Sequence, residues 1–572
     1  MKLIGHYLKK HIWIFLLSTM FLTLEAVADL LQPTFMSFIV DRGVLQSDLR
    51  QILLCGAVML LIAVAGAFSA IMRNRFSSWT SQAIGKEMRQ DMYHNIQQLS
   101  LENIDRLRPA SLITRITNDV SQIQEFINSI MRMMVKAPIT CVGATILILI
   151  QTPKQAPVML CIVLVISLLI LGNMKVGYPR FGTVQKKLDS LNGVTREFLS
   201  AIRVVKAFSA EDEEAAKFDS ASEALARANI AALRTAAVFS PLIGLTVNFG
   251  IVLLLWISRN QNAAEIGKLM ASVNYMTQVL FSVNMISHVI NVAVRAMASA
   301  GRIQEVLEEK PAQKQPEKPL RPQFHGEITF ENVSFSYAGA GKEALQDLSF
   351  TIHPGETVGV IGPTGSGKTT LANLIPRLYD ATGGRILIDG WDVTQIDAEA
   401  LRSAVAIAAQ KPLLFTGSIR ENLLWGKETA TEEEVLRSAR TACADEFIRK
   451  TENGYDTWLG QGGVNLSGGQ KQRLCLARAL LREPRILILD DCTSALDAHT
   501  EAEVLRRLKE EAGRRTVLLI SQRISTVMRT DRILCLDNGR VEGFGTHAEL
   551  MERCPLYRTI YASQIGGEPD GR

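Results

Sequence analysis

Residues Gly362–Thr369 read GPTGSGKT, the spacing G-x-x-x-x-G-K-[ST] of a loop that wraps phosphate. Gly362, Gly365 and Gly367 leave room for backbone N–H groups to close around phosphate oxygens, with Pro363, Thr364 and Ser366 completing the loop and Thr370 following it. Lys368 would neutralise the β- and γ-phosphates of ATP, and the Thr369 hydroxyl would ligate Mg2+. A second acidic segment, Ile486–Ser494 (ILILDDCTS), ends a strand on Asp490, whose carboxylate suits the same Mg2+, and adds a second acid, Asp491. Leu466, Ser467, Gly468, Gly469 and Gln470 (LSGGQ) form another polar glycine loop opening a helix. One domain has no use for two phosphate loops on one nucleotide, so this loop reads as a lid over a nucleotide held by another copy of the domain.

Such a loop needs a strand before it and a helix after it. Thr357–Ile361 reads as that strand and Thr369–Leu374 as that helix. Further strand-like runs (Ile328–Phe335, Ile386–Asp389, Ile486–Leu489, Thr516–Ile520, Arg532–Leu536) alternate with helical stretches, which predicts an α/β nucleotide-binding domain. The first half is unlike it. A mean hydropathy of +0.14 sits oddly beside 21% charged residues until the apolar residues are seen to concentrate N-terminally. Ile52–Met72, Val135–Ile150, Val158–Gly172 and Ala236–Ile257 are long and apolar enough to span a bilayer, framed by weaker candidates at Ile12–Val40 and Ile266–Val294. About six spans put both chain ends on one side. Lys86, Arg89, Arg106, Arg108 and Arg115 after the second span, and Lys175, Arg180, Lys186, Lys187, Arg203 and Lys206 after the fourth, mark the long connections as cytoplasmic. The opposite loops, near Asp41–Leu49, Gln151–Ala156 and Arg259–Glu265, are short, so the helices run on into the cytoplasm and return. Lys2–Lys10, with Leu3, Ile4, Tyr7 and Leu8, suits a helix at the headgroup surface.

The expected organisation is therefore an all-α six-helix transmembrane domain over 1–309 and a Pro- and Lys-rich linker over 310–325. An α/β P-loop domain over 326–565 and a flexible tail over 566–572 complete it. The eight cysteines are scattered without metal-type spacing and suit a reduced compartment, the first apolar run lacks a leader-type cleavage site, and a net charge of +5 gives no nucleic-acid footprint.

Phosphate loop, LSGGQ and ILILD together, fused to membrane spans, resemble an ABC transporter, specifically a bacterial exporter-type half-transporter, over nearly the whole chain to about Ser563. LITRITNDV (Leu112–Val120) and IRVVKAF (Ile202–Phe208) are similar to exporter segments beside the cytoplasmic connections. The resemblance implies an ATPase coupled to transport across the cytoplasmic membrane, with ATP and Mg2+ as cofactors. It implies Tyr337 stacking on adenine and Gln410 contacting Mg2+ and sensing the membrane helices. Ser494, Ala495, Leu496 and Asp497 would form a loop communicating between two nucleotide domains. Three positions depart from the family pattern: Asp491 where Glu is usual, Gln522 where His is usual, and Gln461 where Glu is often found. Asp is shorter than Glu by one methylene, roughly 1.5 Å of reach. Gln cannot become a cation beside the γ-phosphate. The pattern resembles the degenerate-site subunit of heterodimeric multidrug exporters: ATP binding kept, hydrolysis at its own site impaired. It implies a partner half-transporter with intact Glu and His, and hydrophobic or amphipathic substrates. A homodimeric lipid or peptide exporter with slow ATPase, and an ATP-binding regulator or gated pore, are the competing expectations.

Glu25 and Asp29 lie four apart on one face of the first span. They fit either attraction for cationic amphipathic substrates or an internal pair with Arg73, Arg75 or a group from a partner. Asp41 and Arg42, at the outer end, fit either a gate contact or exposed loop charge.

Overall fold

A computed structural model describes residues 2–153, 156–257, 266–511 and 515–566. It separates into two compact units, Met1–Asn95 with Ala110–Glu308, and Ile96–Pro109 with Glu309–Arg572.

The first unit is all helix: α1 (Lys2–Lys10), α2 (Ile12–Phe38), α3 (Leu49–Gln98, whose last turn groups with the second unit), α4 (Leu101–Leu107, wholly in the second unit), α5 (Pro109–Thr114), α6 (Val120–Ser129), α7 (Lys136–Gln151), α8 (Ala156–Ser200), α9 (Ile202–Phe208), α10 (Glu211–Ile257) and α11 (Ile266–Glu308). Wider π-helical turns at Ile39–Val44, Arg115–Asp119 and Ile130–Met134 carry the chain out of α2 and through the run from α5 to α7. Five helical runs among the described residues are long and apolar enough to cross a membrane: Ile12–Val44, Leu49–Gln98, Pro109–Gln151, Leu160–Ser200 and Glu211–Ile257. The expected sixth span lies in α11, which is equally long but more polar. Leu53, Leu60, Leu61, Val64, Phe68 and Ile71 keep an apolar face of α3 exposed, as a lipid-facing helix requires. Leu30, Ile148, Ile166, Leu254, Tyr275 and Val279 bury the opposite side of the bundle. Beyond the apolar stretch, polar groups take over the packing. Asp119 is fully buried, accepts a hydrogen bond from Ser299 Oγ at 3.0 Å and pairs with Arg302, while Arg115 pairs with Glu305 at 2.8 Å. Helix α1 turns Ile4 and Tyr7 into the protein, with the Tyr7 hydroxyl donating to Asp91 at 2.7 Å. The expected loop Arg259–Glu265 and all but the first residue of the expected tail lie outside the described residues.

The second unit holds β1 (Ile328–Phe335), β2 (Leu345–Ile352), β3 (Thr357–Ile361), α12 (Lys368–Leu374), β4 (Gly383–Ile388), β5 (Trp391–Asp392), α13 (Ala398–Ala404), β6 (Val405–Ala408), β7 (Gly417–Ser418), α14 (Ile419–Leu424), α15 (Glu432–Thr441), α16 (Asp445–Arg449), β8 (Trp458–Leu459), α17 (Gly468–Leu481), β9 (Ile486–Asp490), α18 (Ala498–Glu511), β10 (Thr516–Ile520), α19 (Ile524–Val527), β11 (Arg532–Asp537), β12 (Arg540–Gly545), α20 (His547–Arg553) and α21 (Pro555–Ile565). One sheet runs β2-β1-β4-β5, all antiparallel; a second runs β12-β11-β3-β10-β9-β6, parallel except for the edge strand β12. Strands β9 and β10 are buried on both faces, which is why ILILD and TVLLI read as unbroken apolar runs. Phe330, Phe350, Ile388, Val358, Leu374 and Leu518 fill the space between the two sheets.

Residues 96–109, expected within the membrane half, group with this second unit for a local reason. Asn103 is buried there, donating to the Lys310 carbonyl at 3.0 Å and accepting from the Ala312 N–H at 2.8 Å, and the Tyr379 hydroxyl donates to Asp105 at 2.6 Å. The linker is likewise held, with Leu320 bonded to Gln395 and Asp397 through its backbone.

The entry into β1 hangs on one side chain. Asp389, at φ +51° just after β4, accepts from the backbone N–H groups of His325 (2.8 Å), Gly326 (3.1 Å) and Glu327 (2.9 Å). Asp389→Ala leaves these donors without their carboxylate and is expected to destabilise the second unit by about 2–3 kcal/mol. Thermal unfolding followed by nucleotide-domain fluorescence would show a lower midpoint; an unchanged midpoint would remove this anchor.

Candidate nucleotide site and membrane charge cluster

Parallel pairing sets the carboxyl ends of β3, β10 and β9 side by side, with Ile520 opposite both Val360 and Asp490. The phosphate loop leaves β3, Asp491 leaves β9 and Gln522 leaves β10, so three distant parts of the sequence converge at one sheet edge. The glycines are sterically required at two positions. A Cβ on Gly362 would overlap the Leu536 carbonyl oxygen; on Gly367, at φ +99°, it would lie 2.6 Å from a Leu345 methyl and 2.8 Å from the Ala344 carbonyl. At Gly365, φ +83°, nothing stands within 4 Å, so the inner face of the loop is open to a ligand.

Lys368 is nearly buried, its ammonium donating to the carbonyls of Gly362 (2.8 Å) and Pro363 (2.7 Å). Burial pulls its pKa below the usual lysine range, against the raising effect of Asp491 and Asp490. The Thr369 hydroxyl lies 3.3 Å from Asp490 Oδ1. Adjacent ligands of an octahedral Mg2+ at about 2.1 Å stand roughly 3 Å apart, so this pair fits two neighbouring positions around one ion, with phosphate oxygens and water for the rest. Burial, then the neighbouring Asp491 charge, raises the pKa of Asp490. A bound cation would counter both effects. The Tyr337 hydroxyl meets Thr370 at 3.1 Å, and its ring makes edge contacts with Phe335 and Tyr379, which sets the aromatic face beside α12.

Asp491 sits at φ +47°, a left-handed conformation that Asp tolerates better than most residues. Its N–H donates to the Ile520 carbonyl at 3.0 Å. The carboxylate is almost buried, and its Oδ2 faces two neutral carboxamides, Gln410 Nε2 at 3.3 Å and Gln522 Nε2 at 3.5 Å. Burial raises its pKa, while the Gln410 hydrogen bond and the Lys368 charge oppose that rise. Sequence reasoning named these residues but missed what braces them. Buried Glu501 accepts from Thr493 (2.8 Å), Thr526 (3.1 Å) and Arg523 (2.6 Å), and Arg523 also donates to the Ser494 carbonyl. Gln564 of α21 donates to the Gln522 carbonyl at 2.8 Å and accepts from the Ile524 N–H at 2.7 Å. Neither Glu501 nor Gln564 lies in a motif.

The LSGGQ loop stands apart from this convergence: among the described residues no hydrogen bond joins it to the phosphate loop. Ser467 caps α17, exchanging hydrogen bonds with Gln470, and stays exposed with Gly468; a Cβ on Gly469 would press the Ala495 carbonyl at 2.9 Å. Leu466 is half-buried against the helical core. Gln472 binds both Ser494 Oγ (3.2 Å) and the Ala495 N–H (3.0 Å), Leu496 is buried, and Asp497 accepts from the Thr500 N–H at 2.9 Å. The loop and the Ser494–Asp497 turn therefore form one braced surface. Gln461 is exposed in a short 3-10 turn nearby in sequence.

In the membrane unit the two acidic candidates differ. Glu25 is buried and paired twice, with Arg73 Nε at 2.6 Å and Lys136 Nζ at 2.6 Å. Asp29 shares Lys136 at 2.8 Å and keeps 44% of its side chain accessible. The internal pairing with Arg73 is the one that forms; Arg75 takes no part, and Lys136 was unforeseen. Asp41 is not a free loop charge: it caps α11, accepting from the N–H groups of Gly267 (2.6 Å) and Lys268 (3.2 Å), while Arg42 lies over the Phe38 ring.

Two family models match the chain: "ABC transporter transmembrane region" over residues 15–283 and "ABC transporter" over residues 345–494. The uncharacterised ABC transporter ATP-binding protein YfiB of Bacillus subtilis is 39% identical over 95% of each chain. An ATP-dependent lipid A-core flippase of Albidiferax ferrireducens is 31% identical over 92% of each. Among solved structures, that of a bacterial Atm1-family ABC exporter with ATP bound superposes with a TM-score of 0.80, at 26% identity over 99% of each chain.

Gly362→Ala forces the loop off the Leu536 carbonyl and is expected to abolish binding of a fluorescent ATP analogue; retained affinity would show that the loop yields. Arg73→Ala leaves buried Glu25 with only Lys136, which it shares with Asp29, and is expected to cost about 1.5–3 kcal/mol, read as a lower unfolding midpoint in detergent, whereas Arg73→Leu combined with Glu25→Leu recovers most of it. Equal losses in both variants would deny the pairing its role.

Proposed function

The chain belongs to the ABC transporter family and has the fold of its exporters, and from that premise we propose that it is the impaired-site subunit of a heterodimeric exporter of hydrophobic or amphipathic compounds. The observation carrying this reading is the environment of Asp491: a short carboxylate, on a left-handed backbone, facing two neutral carboxamides. Hydrolysis of ATP requires a base to take a proton from the attacking water and a group to stabilise charge growing on the γ-phosphate. We assign the first task to Asp491, which is one methylene shorter than the Glu usual in the family. Gln522 can donate a hydrogen bond to a phosphate oxygen but carries no charge. Binding calls on other groups, namely Lys368, Thr369, Asp490 and the loop amides, and every one of them is present.

Bound MgATP supplies the phosphoanhydride that powers transport. This chain's own residues hold the nucleotide at the phosphate loop and offer the exposed Ser467 and Gly468, beside the braced Ser494–Asp497 turn, to the partner's nucleotide. The partner supplies Glu and His, and hydrolysis runs at its site. Substrate recognition rests on apolar helix faces, since Glu25 is committed to Arg73 and Lys136. The similarity to a lipid A-core flippase favours, as a second reading, a lipid-like amphiphile as cargo. On this reading the apolar helices lie in the bacterial cytoplasmic membrane and the nucleotide domain in the cytoplasm, which the basic residues of the long connections support.

Purification of the tagged chain from native membranes in mild detergent is expected to yield a stoichiometric second half-transporter carrying Glu and His at the positions of Asp491 and Gln522. In that complex, with the partner's Glu replaced by Gln so that its site is silent, Asp491→Glu with Gln522→His is expected to raise the residual ATPase on the order of tenfold or more. Recovery of this chain as a homodimer would overturn the heterodimer, and an unchanged rate in the double variant would overturn the geometric account of the slow site.

A further inference from the structure

The second unit contains another large cavity, of about 920 Å³, none of whose lining residues belongs to the nucleotide site. Its walls come from the end of α3 and the residues after it, from the linker, and from Arg377, Leu378, Ala398 and Arg402. Four cations line it (Lys310, Lys314, Arg377 and Arg402) and no carboxylate does; the other polar lining groups are glutamine amides and Ser100. Nearby acids are already committed. Asp380 holds Arg377 at 2.7 Å, and Glu309 pairs with Arg106 and Asn103. Arg377 is buried and committed, donating also to the Thr394 and Lys314 carbonyls. Arg402 donates through Nη2 to the Arg377 carbonyl at 3.1 Å and lies close enough to Arg377 for the two charges to repel. Among the described residues no carboxylate pairs with Lys310, Lys314 or Arg402. The two lysines are on a fixed backbone: Asn103 holds the Lys310 carbonyl and Arg377 the Lys314 carbonyl at 2.9 Å.

We propose that this cavity binds a small soluble anion bearing a di- or triphosphate, with Lys310, Lys314 and Arg402 as its charged contacts. A cavity of this size holds a metabolite rather than a lone ion. Lysine and arginine facing one space without counter-charge suit clustered phosphate oxygens. A phospholipid headgroup has the same chemistry but the wrong address. Along α3, Gln97 comes about 25 residues, or roughly 38 Å of helix rise, after the end of the apolar run at Met72. The chain passes between its two units at residues 95–96, 109–110 and 308–309, and the cavity is walled by residues just beyond the first and third of these crossings. An anion there ties those two segments to Arg402, which makes the site a place where a soluble metabolite can act on the transporter.

The test uses the full chain in nanodiscs of zwitterionic lipid, its nucleotide site saturated with a non-hydrolysable ATP analogue and Mg2+, titrated calorimetrically with inorganic triphosphate. One site per chain is expected, weakened at least tenfold in Lys310→Ala/Lys314→Ala and restored in Lys310→Arg/Lys314→Arg, with binding of the ATP analogue unchanged in both. Absence of binding to the unsubstituted chain, or equal binding by the alanine variant, would overturn the site. Retention of anionic lipid that depends on Lys310 and Lys314, in nanodiscs containing phosphatidylglycerol and without triphosphate binding, would overturn the soluble ligand in favour of a headgroup. The readout is independent of which partner the chain has or what it exports.

Discussion

The parallel hydrogen-bond ladder β3-β10-β9 is the constraint on which the nucleotide site depends. Its register pairs Leu519 with Gly359 and Leu489, and Ile520 with Val360 and Asp490, so the chain leaves the three strands at one level. A one-residue slip would turn Asp490 to the opposite face and separate it from Thr369. The ladder is secure because both faces of β9 and β10 are buried and every residue in them is aliphatic except Thr516 and Asp490. Those two exceptions are accounted for by the geometry around them. Thr516 is bonded to the Gly326 carbonyl at 2.7 Å, and Asp490 faces Thr369.

Beyond the ladder the site has two layers with different demands. The inner layer, Lys368, Thr369 and Asp490, has the residue types that phosphate and Mg2+ ask for. The outer layer, Asp491, Gln410 and Gln522, is built of one short acid and two neutral amides. Its backbone is nevertheless well supported: Gln564 holds the Gln522 carbonyl and the Ile524 N–H, and the Glu501 network ties Arg523 to the Ser494 turn. The same network reaches the turn beside LSGGQ, so the outer layer and that turn are held as one piece.

What could be read from the sequence divides along the same physical line. Residues whose function depends on local spacing were legible: GPTGSGKT, LSGGQ, ILILD and the apolar spans each carry their meaning within a few turns of chain. The strands β3, β9, β10 and β11 were legible because burial on both faces leaves an unbroken apolar run. Strands β6 (VAIA) and β12 (RVEGFG) were not, since one is short and small-residued and the other is an edge strand with two glycines. Contacts between distant residues left no trace at all. Nothing in the sequence joins Gln564 to Gln522 or Lys136 to Glu25, and the basic cavity assembles from lysines that read only as linker and arginines that belong to no motif.

The membrane unit shows how far charge can be reconciled with an apolar setting. Glu25 and Asp29 of α2 meet Arg73 of α3 and Lys136 of α7, so the cluster sums to zero. An unpaired ion at such depth is costly, and a pair recovers that cost only when its geometry is held. Three helices are therefore pinned against one another in rotation, since turning any one of them would expose a charge to apolar surroundings. A cluster with that duty is poorly suited to capturing cationic cargo: a substrate competing for Glu25 would have to displace Arg73 and Lys136 together. Only Asp29, paired with Lys136 alone and half open at its edge, is free of that restriction.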